Sequence, residues 1–88
     1  MSVAERIKDK LTQEFAPERL DVIDESHLHA GHAGARPEGE THFRIEIVSS
    51  AFEGLNRVAR QRAVNATLKE ELAGPVHALS MKLSAPGE

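Results

Sequence analysis

The sequence predicts an α+β fold in which a mixed three-stranded sheet carries its helices on one face. Two observations predict it. Apolar residues recur every four positions near the start of the chain and again between residues 64 and 72, which is typical of amphipathic helices. They alternate with polar residues in two other stretches, which is typical of half-buried strands. The predicted order is therefore helix, strand, strand, one or two helices, strand.

The first predicted element is a helix over residues 3–15. Ser2 and Glu5 have the spacing of a capping box, in which the serine side chain accepts a hydrogen bond from the first helical turn. Pro17 ends the helix, because the residue before a proline is pushed out of the helical region. The apolar face consists of Val3, Ile7, Leu11 and Phe15.

Two predicted strands follow, with a long loop between them. The first covers Leu20–Asp24, a short apolar run with partial alternation, and the second covers Thr41–Ser50. In the second strand His42 falls on the polar face, and we interpret it as a solvated residue. Residues 25–40 are mainly Gly, Ala, His and Pro without a period, which predicts a loop, and loops of this length are often functional.

The second half of the chain contains a helical crossover. A turn with Gly54 leads into helical spacing over residues 56–73, which ends at Gly74 and Pro75 as a helix terminus. A third strand is expected over Val76–Leu83, with a frayed tail at 84–88. The crossover predicts that strands two and three are parallel neighbours. Strands one and two are expected to form an antiparallel hairpin.

Composition limits the function. The 88 residues predict a single domain, and the absence of cysteine excludes disulfides and thiolate metal sites built from this chain alone. A net charge of −3 and the absence of Trp and Tyr disfavour a general nucleic-acid reader. No apolar run approaches the length of a membrane span, so a cytoplasmic protein without a membrane partner is expected. No nucleophile and base arrangement is evident, so the protein is not expected to be an enzyme.

Histidines form the first candidate site. His27, His29 and His32 lie within six positions among small residues, and imidazole is a common ligand of transition metals. A solvated loop without function is an equal alternative. His77 begins the third strand, where a buried core histidine is the simpler interpretation, although its place at the mouth of a parallel strand pair favours a site.

Arginines form the second candidate site. Arg57, Arg60 and Arg62 stand near the start of the long helical segment, where positive charge opposes the helix dipole. Such a placement indicates an anionic partner. A solvated face paired with Glu53, Glu70 and Glu71 explains the same pattern equally well.

Several of these segments resemble the BolA family, over residues 7–86. The resemblance implies an α-β-β-α-α-β fold similar to the class II KH fold. One departure is Gln61, which stands where the family commonly has histidine. The motifs that carry the resemblance are Glu40-Thr41-His42-Phe43, Phe52-Glu53-Gly54, Arg60-Gln61-Arg62, Leu68-Lys69-Glu70-Glu71-Leu72 and, most specifically, Val76-His77-Ala78-Leu79-Ser80 after Gly74-Pro75.

The resemblance also implies a function in iron–sulfur biology. BolA-like proteins pair with monothiol glutaredoxins of the CGFS type, and the heterodimer holds a bridging 2Fe–2S cluster together with glutathione. The family's ligands are the histidine of the Val-His-Ala-Leu segment, which is His77 here, and a loop Cys or His. The loop ligand maps best to His29, then to His32 and third to His27. In this hypothesis the three arginines only dock the partner.

Two other functions stay open at this point. BolA relatives have been assigned transcriptional roles, so DNA is a second expected partner, to be bound through Arg57, Arg60 and Arg62. The KH-type Gly-x-x-Gly loop is missing, which weakens this alternative. The third hypothesis is a metal-binding domain that uses the histidine-rich loop alone. The apo protein is expected to be a monomer or a weak homodimer.

Overall fold

The structure is a computed structural model that describes residues 2–25 and 41–88. It confirms the predicted α+β class and element order, and the helical crossover consists of two helices that meet at Leu68. Within the described ranges no helix is long and apolar enough to cross a membrane. The elements are α1 (Val3–Phe15), β1 (Arg19–Asp24), β2 (His42–Val48), a 3-10 turn (Ser50–Phe52), α2 (Arg57–Thr67), α3 (Lys69–Ala73) and β3 (Ala78–Ser84).

Local signals define α1 at both ends. The Ser2 hydroxyl accepts a hydrogen bond from the Glu5 amide at 3.1 Å, as the capping box predicted. Ala16 leaves the helix in the left-handed conformation with φ 41°, and its amide donates to the Thr12 carbonyl at 3.0 Å. Pro17 follows at once, so the chain turns away from the helix axis and enters β1.

The sheet has the order β1-β2-β3 with β2 in the centre. Strands β1 and β2 are antiparallel, with Val22 opposite Ile45, and β2 and β3 are parallel, with Ile45 beside Met81. Both orientations confirm the prediction. A parallel pair requires a crossover connection, and α2 with α3 provides it.

The helices cover one face of this sheet, and the hydrophobic core lies between them. The other face carries exposed ion pairs, with Arg44 and Glu46 at 3.6 Å and Arg19 and Asp21 at 3.1 Å. The side chains of the core come from α1, from alternate residues of β2 and from the crossover, and they include Ile7, Leu11, Phe15, Phe43, Ile45, Ile47, Phe52, Val64, Leu68 and Val76.

The third strand begins later than predicted. It starts at Ala78 rather than Val76 and ends at Ser84, so His77 precedes the strand. His77 is exposed, whereas Leu79, Met81 and Leu83 are half-buried, so the four residues do not share one environment as expected. The helical segment ends at Ala73 with Gly74 as its cap, as predicted, although the Gly74 φ of −113° is not the left-handed conformation expected of a glycine at this position.

The expected frayed tail over residues 84–88 is wrong. Ser84 belongs to β3, Ala85 is buried, and the Ala85 amide donates to the Glu88 carboxylate at 3.1 Å. Glu88 holds these last residues in place through its ion pair with Arg60, 28 positions earlier in the chain. No local sequence pattern signals such a contact.

Ser49 connects α1 to the end of β2 and is a structural residue. Its buried hydroxyl donates to the Phe15 carbonyl at 2.6 Å and accepts from the Ala51 amide at 3.1 Å. Ser49→Ala is expected to lower the free energy of unfolding by about 1–3 kcal/mol, because it leaves a buried carbonyl without its donor. Urea denaturation followed by far-ultraviolet circular dichroism measures this. The exposed neighbour variant Ser50→Ala is the control, and equal losses in both variants would contradict the assignment.

Candidate metal centre and arginine surface

His77 is held by its backbone and exposes its side chain. The preceding Val76 is buried, and its amide donates to the Glu71 carbonyl at 2.9 Å. The His77 amide then donates to the Thr41 carbonyl at 2.7 Å. The interpretation of His77 as a buried core histidine is therefore wrong. Its backbone is fixed on both sides, while its imidazole is open to solvent and to a partner.

His42 lies beside His77 and is buried, so the expectation of a solvated strand residue is wrong. Only 7% of its surface is exposed, and its Nδ1 shares a hydrogen bond of 2.8 Å with the Thr41 hydroxyl. The two imidazole rings are in contact, with centroids 5.4 Å apart and planes inclined by 56°. His77 thus packs against the residues at the start of β2.

The segment that carries the other candidate histidines joins the fold beside His77. The Glu25 amide, at its start, donates to the His42 carbonyl at 2.8 Å, and Thr41, at its end, accepts from the His77 amide. The strand order places Glu25 and His77 on opposite sides of His42, about 10 Å apart at the usual strand spacing. His27, His29 and His32 lie outside the described residues.

Chain length limits how far these histidines can be from the described site. His27 and His29 follow Glu25 by two and four positions, and four extended residues span at most about 14 Å. His32 follows by seven positions, or at most about 25 Å of extended chain. A loop imidazole can therefore reach the neighbourhood of His77 from each of these positions.

The described residues do not form a complete metal site. Over 2–25 and 41–88, no three His, Asp or Glu side chains are grouped so that they could hold a metal ion. His77 fits a metal or an iron–sulfur cluster as a single ligand, because it presents an exposed imidazole on a fixed backbone. Further ligands must come from the 26–40 segment or from another molecule.

Arg60 is not part of an open arginine surface. Its guanidinium binds Glu88 through two hydrogen bonds of 2.6 and 2.7 Å and donates to the Leu83 carbonyl at 3.3 Å. It also lies over the Phe52 ring, 6.0 Å from the centroid. Arg60 therefore stabilises the end of β3, and we correct its assignment as a docking residue on this ground.

The Arg60 contact holds the pKa of the Glu88 carboxyl at about 2, below its usual value of 4.5, chiefly through the two hydrogen bonds. A lowered pKa means that the contact stabilises the fold fully above pH 4.5 and is lost as the pH falls toward 2. A titration of the Glu88 carboxyl by nuclear magnetic resonance is expected to show a midpoint near 2, and Arg60→Gln is expected to return it toward 4.5. A midpoint near 4.5 in the unmodified protein would contradict the contact.

Arg57 and Arg62 are exposed, but they do not share a face of α2. Five helical residues correspond to a rotation of about 140° between the two side chains. Of the acids that could have paired with the arginines, Glu71 instead contacts Lys10 of α1 at 2.9 Å. The three arginines are thus split between one structural and two exposed positions.

Glu71 is a structural residue that no local sequence pattern marks. Its side chain is 3% exposed, and besides Lys10 it lies 4.0 Å from the Arg6 Nε. Its carbonyl accepts from the Val76 amide, directly before His77. Glu71 therefore joins α1 to α3 and fixes the segment that presents His77.

Comparison with known proteins gives the family. The profile of the family described as "BolA-like protein" matches residues 11–88. The solved structure of BolA1 from Arabidopsis thaliana superposes with a TM-score of 0.88 at 41% identity, covering 100% of this chain and 96% of that one. The chain belongs to the BolA family.

Two curated relatives extend the comparison. The chloroplastic protein BOLA1 of Arabidopsis thaliana is 47% identical over 87 residues, which is 97% of this chain and 54% of that protein. The DNA-binding transcriptional regulator BolA of Vibrio cholerae is 48% identical over 75 residues, which is 85% of this chain and 67% of that protein. The chain thus spans about half the length of the Arabidopsis relative.

Proposed function

We propose that this BolA family protein binds a monothiol glutaredoxin of the CGFS type and co-ligates a bridging 2Fe–2S cluster. His77 is the first ligand from this chain, and His29 is preferred over His32 as the second. A glutaredoxin cysteine and glutathione complete the coordination. The observation that carries the proposal is the exposed imidazole of His77 on a fixed backbone, beside both ends of the histidine-bearing segment.

The donor set supports a shared rather than a private site. The chain has no cysteine. Among the described residues, His77 supplies one suitable imidazole, and no three His, Asp or Glu side chains are grouped so that they could hold a metal ion. Thiolates from a partner would complement these nitrogen ligands, since iron–sulfur clusters are held mainly by cysteine thiolates. The protein acts here through binding and needs no catalytic residue.

Histidine ligation determines the chemistry that such a cluster would supply. Two histidines in place of two cysteines on one iron raise the reduction potential, as in Rieske centres. Only neutral imidazole binds metal, so His77 would also make the complex sensitive to protons. Both properties suit cluster trafficking or iron and redox regulation.

A cluster titration tests the proposal. Glutaredoxin loaded with a 2Fe–2S cluster and glutathione is mixed with this protein, and visible absorption and circular dichroism are followed. The expected result is a new spectrum that saturates at one equivalent. An unchanged spectrum would contradict the proposal, and Zn²⁺ binding by the isolated protein that survives His77→Ala would favour the loop-only metal site instead.

DNA binding is the second candidate function. The relative named as a DNA-binding transcriptional regulator and the exposed Arg57 and Arg62 favour it, while the net charge of −3 and the occupied Arg60 oppose it. If phosphates are bound, log K falls with log salt by about 0.9 for each phosphate contact. Fluorescence anisotropy with a labelled duplex measures this slope, and Arg57→Gln and Arg62→Gln should each reduce it. Absence of binding at low salt would exclude the function.

A further inference from the structure

Strand β3 lies at the edge of the sheet, and half of its backbone groups point away from it. The Ala78 amide donates to Thr41, and the Ser84 carbonyl accepts from Ser49, so even-numbered residues direct their backbone groups toward β2. Successive residues of a strand point to opposite sides. The backbone groups of Leu79, Met81 and Leu83 are therefore directed outward.

The described residues cover only the last part of this outer edge. Arg60 donates to the Leu83 carbonyl at 3.3 Å and blocks the end of the strand. Within 2–25 and 41–88, the amides and carbonyls of Leu79 and Met81 have no strand partner, because β3 pairs with β2 alone. An unpaired edge of this kind is a template for a further strand.

A groove runs along the open edge and has an apolar floor with a basic rim. Its volume is about 500 Å³, and it lies between the start of α2 and β3. Among the described residues that line it, Glu88 is the one acid and is bound to Arg60, so Arg57 and Lys82 provide the positive charge that no described lining acid neutralises. The residues that form the floor are Leu55, Met81 and Leu83.

We propose that the β3 edge and this groove bind an extended acidic segment of a partner protein, which adds as a fourth strand beyond β3. Main-chain hydrogen bonds to Leu79 and Met81 would hold the segment, and alternate side chains would confer specificity. Apolar side chains of the partner segment fit the groove beside Leu55. Acidic side chains on the opposite face of that segment lie next to Lys82. The proposal is independent of the cluster, since neither His77 nor iron takes part.

Charge distinguishes the acidic segment from a second copy of this chain. Pairing of two β3 edges would bring Arg57 and Lys82 of one copy close to their counterparts, and like charges across an interface are unfavourable. Lysine on an edge strand is itself a common protection against such self-association. An acidic strand in the same place would instead bring its carboxylates close to Arg57 and Lys82, which is electrostatically favourable.

A peptide titration tests the proposal on the ¹⁵N-labelled protein. The probe is a capped eight-residue peptide of alternating glutamate and valine, and the comparison peptide has lysine in place of glutamate. The acidic peptide is expected to shift the amide signals of Leu79 and Met81 and to slow their hydrogen exchange. Two further versions of the acidic peptide are N-methylated on every valine or on every glutamate. Alternate residues of a strand direct their amides to opposite edges, so one version loses its donors toward β3 and should bind weakly, while the other keeps them and should bind.

Charge variants separate the groove from general electrostatic attraction. The double variant Arg57→Glu/Lys82→Glu should bind the acidic peptide about tenfold more weakly. The control Lys8→Glu/Lys69→Glu changes net charge equally at exposed positions outside the groove and should bind unchanged. Equal weakening in both double variants would overturn the proposal.

Three further results would also overturn it. They are equal binding of the lysine peptide, concentration-dependent dimers in sedimentation that protect the Leu79 and Met81 amides, and a single-stranded oligonucleotide that shifts the same amides while the acidic peptide does not. The titrations contain no glutaredoxin and no iron. A failed peptide titration therefore leaves the cluster proposal untouched, and a failed cluster titration leaves this one untouched.

Discussion

Replacing His77 with alanine is expected to abolish the cluster-dependent spectrum that the unmodified protein forms with loaded glutaredoxin. The substitution removes the imidazole but keeps the amide that donates to the Thr41 carbonyl, so the backbone of the site is preserved. Loss of residues that only support a metal ligand already costs about 10–100-fold in affinity. Loss of a ligand should therefore exceed that range, and titration by visible circular dichroism measures it.

The matched control is Ser80→Ala, which truncates an exposed side chain on the adjacent strand β3. It should leave both the spectrum and the affinity unchanged. Single His29→Ala, His32→Ala and His27→Ala variants then identify the second ligand, and we expect His29→Ala to have the largest effect. A normal spectrum in His77→Ala, with unchanged far-ultraviolet circular dichroism, would remove His77 from the site.

Replacing Lys10 with methionine is expected to cause a larger loss of stability than replacing Ser49 or Glu70. Glu71 is nearly buried and has Lys10 as its closest cation at 2.9 Å, so the variant leaves a buried carboxylate with only the more distant Arg6. Breaking a buried pair in this way typically costs about 3–5 kcal/mol. Lys10 is one-third exposed, so we expect about 3 kcal/mol, measured by urea denaturation.

Glu70→Gln is the matched control for this pair. Glu70 also lies near Lys10, at 3.8 Å, but its side chain is 88% exposed, so the change should stay within about 0.5 kcal/mol. Glu71→Gln and the double variant with Lys10→Met complete a double-mutant cycle that isolates the coupling between the two residues. A Lys10→Met loss no larger than that of Glu70→Gln would contradict the structural role of the pair.

The same pair is expected to affect the candidate metal site indirectly. The Glu71 carbonyl accepts from the Val76 amide, so movement of α3 displaces the segment that holds His77. At low temperature, where the destabilised Lys10→Met variant is more completely folded, its cluster binding should be restored. His77→Ala should not recover cluster binding under the same conditions. This contrast separates a positioning effect from loss of a ligand.

Elements with local signals could be predicted from the sequence, and α1 shows why. Its cap at Ser2 and its end before Pro17 depend on neighbouring residues, and the predicted bounds equal the observed ones. The alternation in β2 likewise placed Phe43, Ile45 and Ile47 on the buried face. The two-helix crossover stayed open because its break at Leu68 contains neither glycine nor proline.

Features that depend on distant residues could not be predicted in this way. The Lys10–Glu71 contact joins positions 61 apart, and Arg60 and Glu88 are 28 apart, so local spacing gave no sign of either. His42 was misassigned because alternation predicts only which face of the sheet a residue occupies. It does not predict that the His77 ring packs against that face.

The proposed ligation by this chain's imidazole is tested most directly by pulsed electron paramagnetic resonance of the reduced cluster. The protein is labelled with ¹⁵N-histidine and combined with unlabelled glutaredoxin and glutathione. Coordination by His77 predicts a ¹⁵N hyperfine coupling of the size given by a directly coordinated imidazole, and its loss or reduction in labelled His77→Ala. A reduced cluster in the complex without any ¹⁵N coupling would contradict it, because all ligands would then come from the partner and glutathione.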